Sequence, residues 1–354
     1  MNPFAGQIAY RMFRAWGRPE VLPLNYTFSL TARCNYRCAT CRVQRSRVRE
    51  MSADEYRKLF ASLGGSPCWA TFSGGEPFLR EDLGDIVDSF CRTCRPRLVN
   101  IPTNGGFPVR IAEAARSLAK LHPGIGFIVN VSIDAVGERQ DEIRGFPGAW
   151  ENAVATIAEI KREQPHNLTV GIGTVVSKLN LGSFSGDRLA LARLGAGSMV
   201  AEPAEIRAEL MNQGLDIAPS AEEYLPIARL LTREMDSPRK RGWPGLARAF
   251  RRGYYLYAYR VLNGEGGLPC YAGFASVQIM PDGEVWACCI RGDRMGRLSD
   301  FGYDFGRLWR SGKSRAARKI IKSRKCACPL ANAAYTNMIF NFREGARVLA
   351  NMLR

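Results

Sequence analysis

The sequence predicts an α/β fold, a partial (β/α)6 TIM-like barrel at residues 25–202 followed by a smaller C-terminal domain. Three observations predict it. Short apolar runs alternate with segments of helical period, which is the pattern of a parallel sheet with helices on its faces. Six such units fit within roughly 180 residues, short of a closed eight-fold barrel. The polar motifs all fall just after the apolar runs, at the C-terminal ends of strands, where such folds place chemistry. The 354 residues, 46% hydrophobic, are enough for this core and an appended domain.

Taken in order, residues 1–24 place Phe4, Ile8, Met12 and Trp16 on one line, with Arg11, Arg14 and Arg18 off it. This reads as a basic amphipathic helix, suited to a membrane interface or to packing on the body. Tyr26, Phe28 and Leu30 alternate with polar residues as a strand. Ser52 with Glu55 forms a capping box that starts a helix, whose buried face is Tyr56, Leu59, Phe60 and Leu63. Strands follow near 69–72, 98–102, 127–133, 169–176 and 198–201. Helices lie between them, one of them with Leu83, Ile86, Val87 and Phe90 on a face.

Between the first strand and the first barrel helix stands Cys34-Asn35-Tyr36-Arg37-Cys38-Ala39-Thr40-Cys41. Three thiolates at C-x3-C-x2-C spacing can hold one polynuclear centre, and soft sulfur selects iron–sulfur, zinc or copper(I). A fourth local ligand is missing, so a cubane cluster here keeps one iron open. A zinc knuckle is the alternative, but zinc sites usually pair two such units or add histidine, and the chain has only His122 and His166. One helix and one strand later comes Ser73-Gly74-Gly75-Glu76-Pro77. Its glycines let backbone approach closely, and Glu76 ends a strand, a position that suits an ammonium group.

The cysteine spacing resembles the signature of the radical S-adenosylmethionine (SAM) enzymes, and the Gly-Gly-Glu-Pro segment is similar to the one that contacts the methionyl amine in that family. The resemblance implies that Cys34, Cys38 and Cys41 hold a catalytic [4Fe–4S] cluster. SAM would chelate its open iron and be cleaved to a 5′-deoxyadenosyl radical that abstracts hydrogen from substrate. It also implies cofactor-binding roles for Gly74, Gly75 and Glu76, for Asn104 in Thr103-Asn104-Gly105, for Ser132 and Asp134 at the Ser132-Ile133-Asp134 strand end, and for Arg144. Thr40 occupies a position where the family usually has an aromatic residue near the adenine.

Residues 203–265 carry Pro238-Arg239-Lys240-Arg241, Arg248, Arg251 and Arg252, then Tyr254, Tyr255, Tyr257 and Tyr259. Charge interleaved with aromatics can bind single-stranded nucleic acid. No nucleic-acid-binding signature accompanies it, so the segment reads as a helical connector. In 266–330, Cys270 and Cys288 flank a strand, a Pro281-Asp282-Gly283 turn and a second strand, and Cys326-x-Cys328 follows. Four thiolates so arranged can complete a cluster site or a zinc ribbon. The pattern resembles the SPASM and twitch auxiliary-cluster domains, which implies a second, auxiliary [4Fe–4S] cluster on Cys270, Cys288, Cys326 and Cys328, with Cys289 able to substitute for Cys288. The pair is spaced C-x-C rather than the usual C-x2-C. Cys68, Cys91 and Cys94 read as spare thiols. The tail, 331–354, sets Met338, Phe342, Leu349 and Met352 against Arg343, Arg347 and Arg354, a second basic amphipathic helix.

Net charge +17 favours an anionic partner. No secretory signal or apolar run of membrane-spanning length is visible, and eleven cysteines then point to a reducing, cytoplasmic setting, with peripheral contact at the inner membrane face open to the basic ends. The resulting expectation is an enzyme acting on an anionic or membrane-derived small molecule, such as a lipid or glycosyl-phosphate precursor. It would be supplied with electrons by a flavodoxin- or ferredoxin-type reductase. The alternative within the family is a peptide- or protein-modifying, maturase-type enzyme; peptide-modifying members often carry an added N-terminal recognition domain, and the 33 residues before Cys34 are too few for one, which lowers that reading without removing it. The rival class is a non-catalytic zinc- or nucleic-acid-binding protein.

Overall fold

The computed structural model describes residues 6–236, 243–323 and 326–353. Phe4, the 238–241 basic run and Arg354 lie outside the described residues, as do the side chains of Leu349 and Met352.

Six strands form the barrel wall: β1 (Asn25–Thr31), β2 (Trp69–Gly74), β3 (Leu98–Thr103), β4 (Gly126–Ser132), β5 (Leu168–Val176) and β6 (Ser198–Pro203). They lie in sequential order and every neighbouring pair is parallel. Helices α2 (Ala53–Leu63), α3 (Leu83–Cys94), α4 (Pro108–Leu121), α5 (Glu138–Arg144), α6 (Ala149–Arg162) and α7 (Phe184–Ala192) make the crossovers. This is the predicted partial (β/α)6 architecture. Ser52 and Glu55 form the expected reciprocal capping box at the start of α2. Tyr56, Leu59, Phe60 and Leu63 are buried against Phe28, Phe72 and Phe90, whose rings pack edge to face and stacked.

The C-terminal hairpin forms as expected from β7 (Ser276–Ile279) and β8 (Glu284–Cys288), with an unanticipated third strand, β9 (Asp293–Arg297). It does not stand apart. Strand β7 pairs in parallel with β1, from Asn25↔Ser276 to Phe28↔Ile279, so one nine-stranded sheet runs through barrel and hairpin. Helices α10 (Phe305–Trp309) and α11 (Gly312–Ser323) then cover the hairpin.

The connector is helical, α8 (Ala221–Met235) and α9 (Trp243–Leu262). Tyr254, Tyr255 and Tyr257 are buried in an apolar cluster with Tyr224 and Leu231, so they are packing residues with no face to offer a base. The tail is two helices, α12 (Ala331–Ile339) and α13 (Phe342–Leu353), packed on α9, and Met338 is a buried residue of α12.

At the other end, α1 (Gln7–Trp16) does form, but inverted relative to its apolar line. Tyr10 and Phe13 face the core, with Phe13 against Phe274 and Trp309, while Ile8, Met12 and Trp16 point outward. Tyr10 meets Phe340 and Phe13 meets Phe274 and Trp309, and these ring contacts decide which face docks. Among the described residues, no helix is long and apolar enough to cross a membrane.

Candidate functional site

The loop carrying Cys34, Cys38 and Cys41 leaves the C-terminal end of β1. Its start is braced by Arg80, a buried guanidinium that donates to the Leu30 carbonyl (3.0 Å) and the Met51 carbonyl (3.0 Å) and pairs with Asp82 (2.7 Å). One flank is closed by the Gly74-Gly75-Glu76 turn. The Gly75 amide donates to the Thr31 carbonyl (2.7 Å) and the Glu76 amide to the Arg33 carbonyl (2.9 Å). A β-carbon on Gly74 would stand 2.2 Å from the Thr31 oxygen, and one on Gly75 2.1 Å from the Arg33 oxygen. The glycines are therefore required by contact between two loops of the protein itself.

The other flank is closed by the end of α5. Amides of Arg37 and Ala39 donate to the carbonyls of Arg144 (3.2 Å) and Ile143 (2.8 Å). Gly145 takes a left-handed φ of 59°, and a β-carbon there would meet the Arg37 oxygen at 2.3 Å. The Tyr36 ring stacks on Phe146 with centroids 4.4 Å apart.

The three thiols act on one another electrostatically. Burial, chiefly, and neighbouring Cys38 raise the thiol of Cys34; the same causes, with Cys34 added, push Cys41 up to about 12. Asn104 reaches the loop from the end of β3, its Nδ2 3.9 Å from Cys34 Sγ and 2.7 Å from Asn35 Oδ1. Arg144 stands behind Cys38. Burial works against its charge, yet Asp134, at 2.8 Å, and the Cys38 thiol hold the guanidinium protonated. Its Nε is buried without a hydrogen-bond partner.

Glu76 is fully buried. Its carboxylate accepts from the Asn104 amide (2.7 Å), Thr103 Oγ1 (2.9 Å) and the Phe78 amide (3.1 Å), tying the end of β2 to the end of β3. Burial outweighs these three donors and pushes its pKa up to about 7. Ser132 is half-buried at the end of β4, where its carbonyl accepts from Gln140 Nε2 (3.0 Å). Asp134 accepts from the Val175 amide (2.8 Å) as well as pairing with Arg144. Thr40 is nearly buried, and its carbonyl accepts from Asn212 Nδ2 (3.0 Å).

Asn212 belongs to a segment that sequence reading missed. Residues 204–212, after β6, touch both cysteine constellations. The Arg42 amide donates to the Leu210 carbonyl (2.9 Å) on one side. On the other, the Ala208 and Glu209 amides donate to the carbonyls of Ile290 (2.9 Å) and Cys289 (3.2 Å). Arg207 pairs with Glu205 at 3.2 Å, and Glu209 accepts from Gln278 Nε2 at 2.5 Å. These residues carry no spacing pattern; only the preceding strand hinted that they stand at the barrel's chemical end.

In the second constellation, burial is the leading cause of the raised thiols of Cys270, Cys288 and Cys328; Cys288 and Cys326 also raise Cys270, Cys326 raises Cys288, and Cys270 and Cys288 raise Cys328. Burial pushes Cys270 up to about 11. Cys289 is buried differently: after burial, its strongest influences are Glu209 and Arg207. Cys68, Cys91 and Cys94 are buried in the main core.

Comparison with known proteins agrees with this geometry. Residues 28–184 match the description "Radical SAM superfamily". The Fe-coproporphyrin III synthase of Methanosarcina barkeri is 33% identical over 159 residues, 44% of this chain and 37% of that protein. The pre-heme d1 synthase of Dinoroseobacter shibae is 31% identical over 175 residues, 48% of this chain and 39% of that protein. The antilisterial bacteriocin subtilosin biosynthesis protein AlbA of Bacillus subtilis is 30% identical over 166 residues, 45% of this chain and 35% of that protein. The chain thus spans well under half the length of these curated relatives. Two solved structures share the fold. Native anSMEcpe with bound AdoMet aligns with a TM-score of 0.59 at 13% identity, over 94% of this chain and 97% of that one. SuiB of Streptococcus suis bound to S-adenosylmethionine aligns with a TM-score of 0.58 at 12% identity, over 91% and 73%. The match to the radical SAM superfamily runs from within β1 to the first residue of α7, and so takes in the triple-cysteine loop clamped at the head of β1 in a six-stranded parallel wall.

Proposed function

We propose that the protein is a radical SAM enzyme that cleaves S-adenosylmethionine reductively and uses the resulting radical to take hydrogen from its substrate. The observation that carries this reading is the clamped loop of Cys34, Cys38 and Cys41 with Arg144 behind it. The residues present fit the [4Fe–4S] cluster and SAM that the superfamily implies. Three mutually interacting thiols supply soft ligands, and the orphaned, buried Arg144 Nε is a charged donor with capacity to spare for an anionic group. When bound, the cluster and SAM supply a 5′-deoxyadenosyl radical on one-electron reduction.

The chain's own residues position that chemistry. Cys34, Cys38 and Cys41 are the cluster ligands. Gly74 and Gly75 set the backbone of the loop flank, and Glu76 holds this turn on the end of β3. Asn104, Ser132 and Asp134 at the strand ends, with Arg144 at the end of α5, hold SAM, with Thr40 in place of the family's usual aromatic. A flavodoxin- or ferredoxin-type protein supplies the electron. Cys270, Cys288, Cys326 and Cys328 are suited to an auxiliary [4Fe–4S] cluster, and their mutual influence favours Cys288 over Cys289 as the ligand. Domain limits at 25–202 for the barrel and 266–330 for the auxiliary region follow from this assignment.

For substrate, the basic balance of +17 supports an anionic or membrane-derived small molecule. A peptide or protein substrate is the second reading, favoured by the near-complete fold match to SuiB, solved also with precursor peptide SuiA. Anaerobically reconstituted protein given dithionite and SAM should release 5′-deoxyadenosine. Failure of a fully iron-loaded preparation to do so would refute the reading. Mass spectrometry of lipids, small metabolites and peptides with and without the protein separates the substrate classes.

A further inference from the structure

The outward face of α1 is an apolar stripe with none of the described residues packed over it. Ile8 is 68% exposed and Trp16 74%, with Met12 between them on successive turns. The stripe continues onto α13 through Phe342, 62% exposed, which lies under the Arg11 guanidinium at 3.8 Å from its ring centroid. The helix is fixed in place by its other face: Gln7 Nε2 donates to the Ile339 carbonyl (2.8 Å), Arg14 Nε to the Cys270 carbonyl (2.8 Å), and Tyr10 and Phe13 are in the core. The exposed stripe is thus a feature of a docked helix.

Its rim is cationic. Lys322 of α11 donates to the Ala15 carbonyl at the end of α1 (2.5 Å), and Lys319 is exposed one turn earlier. Arg18 is exposed just beyond α1, and Arg343 beside Phe342. Neither α1 nor α11 contains an acidic residue. Glu20, which follows α1 in sequence, is engaged with Arg315 (2.8 Å), and the buried Glu344 of α13 with Arg260 (3.3 Å) and Arg347 (2.5 Å).

We propose that this face docks on an anionic lipid bilayer. Aliphatic and aromatic side chains in a row, with an indole at one end and cations along the edges, suit the boundary between headgroups and acyl chains. The cations suit the negative potential of acidic lipid. A polyanion such as nucleic acid would use the rim and leave Ile8 and Met12 exposed to water. The proposal concerns attachment of the protein and does not depend on the chemistry at the cysteines.

Co-sedimentation of the full chain with phosphatidylcholine vesicles, with and without phosphatidylglycerol, tests it. Binding is expected only with phosphatidylglycerol and should weaken as salt rises. The triple variant Ile8→Ser, Met12→Ser, Trp16→Ser should bind at least about tenfold more weakly while keeping its thermal melt and its 5′-deoxyadenosine release. Lys319→Glu should weaken binding with the stripe intact. No binding to acidic vesicles, or equal binding by the triple variant, overturns the proposal. So does loss of a dimer in the variant without lipid, which would assign the stripe to a second copy, or single-stranded nucleic acid binding that the stripe variant abolishes.

Discussion

Gly75 and Arg33 are in backbone contact so close that a single added methyl group on Gly75 would stand 2.1 Å from the Arg33 carbonyl oxygen. The neighbouring atoms are main chain on both sides, so nothing flexible can yield. Gly75→Ala should therefore push the cysteine loop away from β2. We expect a loss of about 3 kcal/mol in the unfolding free energy of the metal-free chain, the upper range for overpacking. We also expect reduced iron uptake after reconstitution. Chemical denaturation and iron analysis measure the two effects separately.

Asp134 and Arg144 form a buried pair at 2.8 Å. Asp134→Ala leaves a guanidinium uncompensated behind Cys38, and such a break costs about 3–5 kcal/mol. Arg144→Lys keeps the charge but loses the planar donor set. It should fold better than Asp134→Ala and still show weakened SAM affinity, measured by equilibrium binding to the reconstituted protein.

The buried carboxyl of Glu76 gives a pH test. Its folded pKa, about 7, lies above its ordinary value of 4.5. The folded state then holds this proton more tightly than the unfolded chain. The group costs nothing below the unfolded pKa, and it destabilises increasingly as pH rises from about 4.5 to about 7, levelling off above. Glu76→Gln removes this dependence. Denaturation of the metal-free chains at both ends of the window should show the stability difference moving in favour of the glutamine variant as pH rises; a constant difference would refute the buried-carboxyl account.

Cys288 and Cys289 are neighbours in sequence with different surroundings. In anaerobically reconstituted protein, Cys288→Ala should lower iron from about eight to about four atoms per chain, the loss of one cubane. Cys289→Ala should retain about eight. Iron analysis with electron paramagnetic resonance of the reduced protein reads both.

Much of this site was legible because its residues are consecutive. A cysteine loop, a Gly-Gly-Glu-Pro turn and an alternation of strands and helices are local patterns, and β1 to β6 formed where the apolar runs lie. The contacts of Asn212 with Thr40 and of Glu209 with Cys289 join residues far apart in sequence and leave no spacing to read. The orientation of α1 was hidden for another reason. Both of its faces carry apolar residues, and distant aromatic partners, Phe340 for Tyr10 and Phe274 with Trp309 for Phe13, select these two for the interior.

The parallel pairing of β1 with β7 also bears on how the chain is made. During synthesis the first strand emerges with one hydrogen-bonding edge open, and its mate, beginning at Ser276, leaves the ribosome only after the whole barrel has appeared. A nascent chain in that interval exposes an apolar strand edge of the kind that seeds aggregates. Arrest or truncation of translation before Ser276 should thus yield chaperone-bound or insoluble product, and closure of the sheet becomes a late, slow event governed by a contact of long sequence separation.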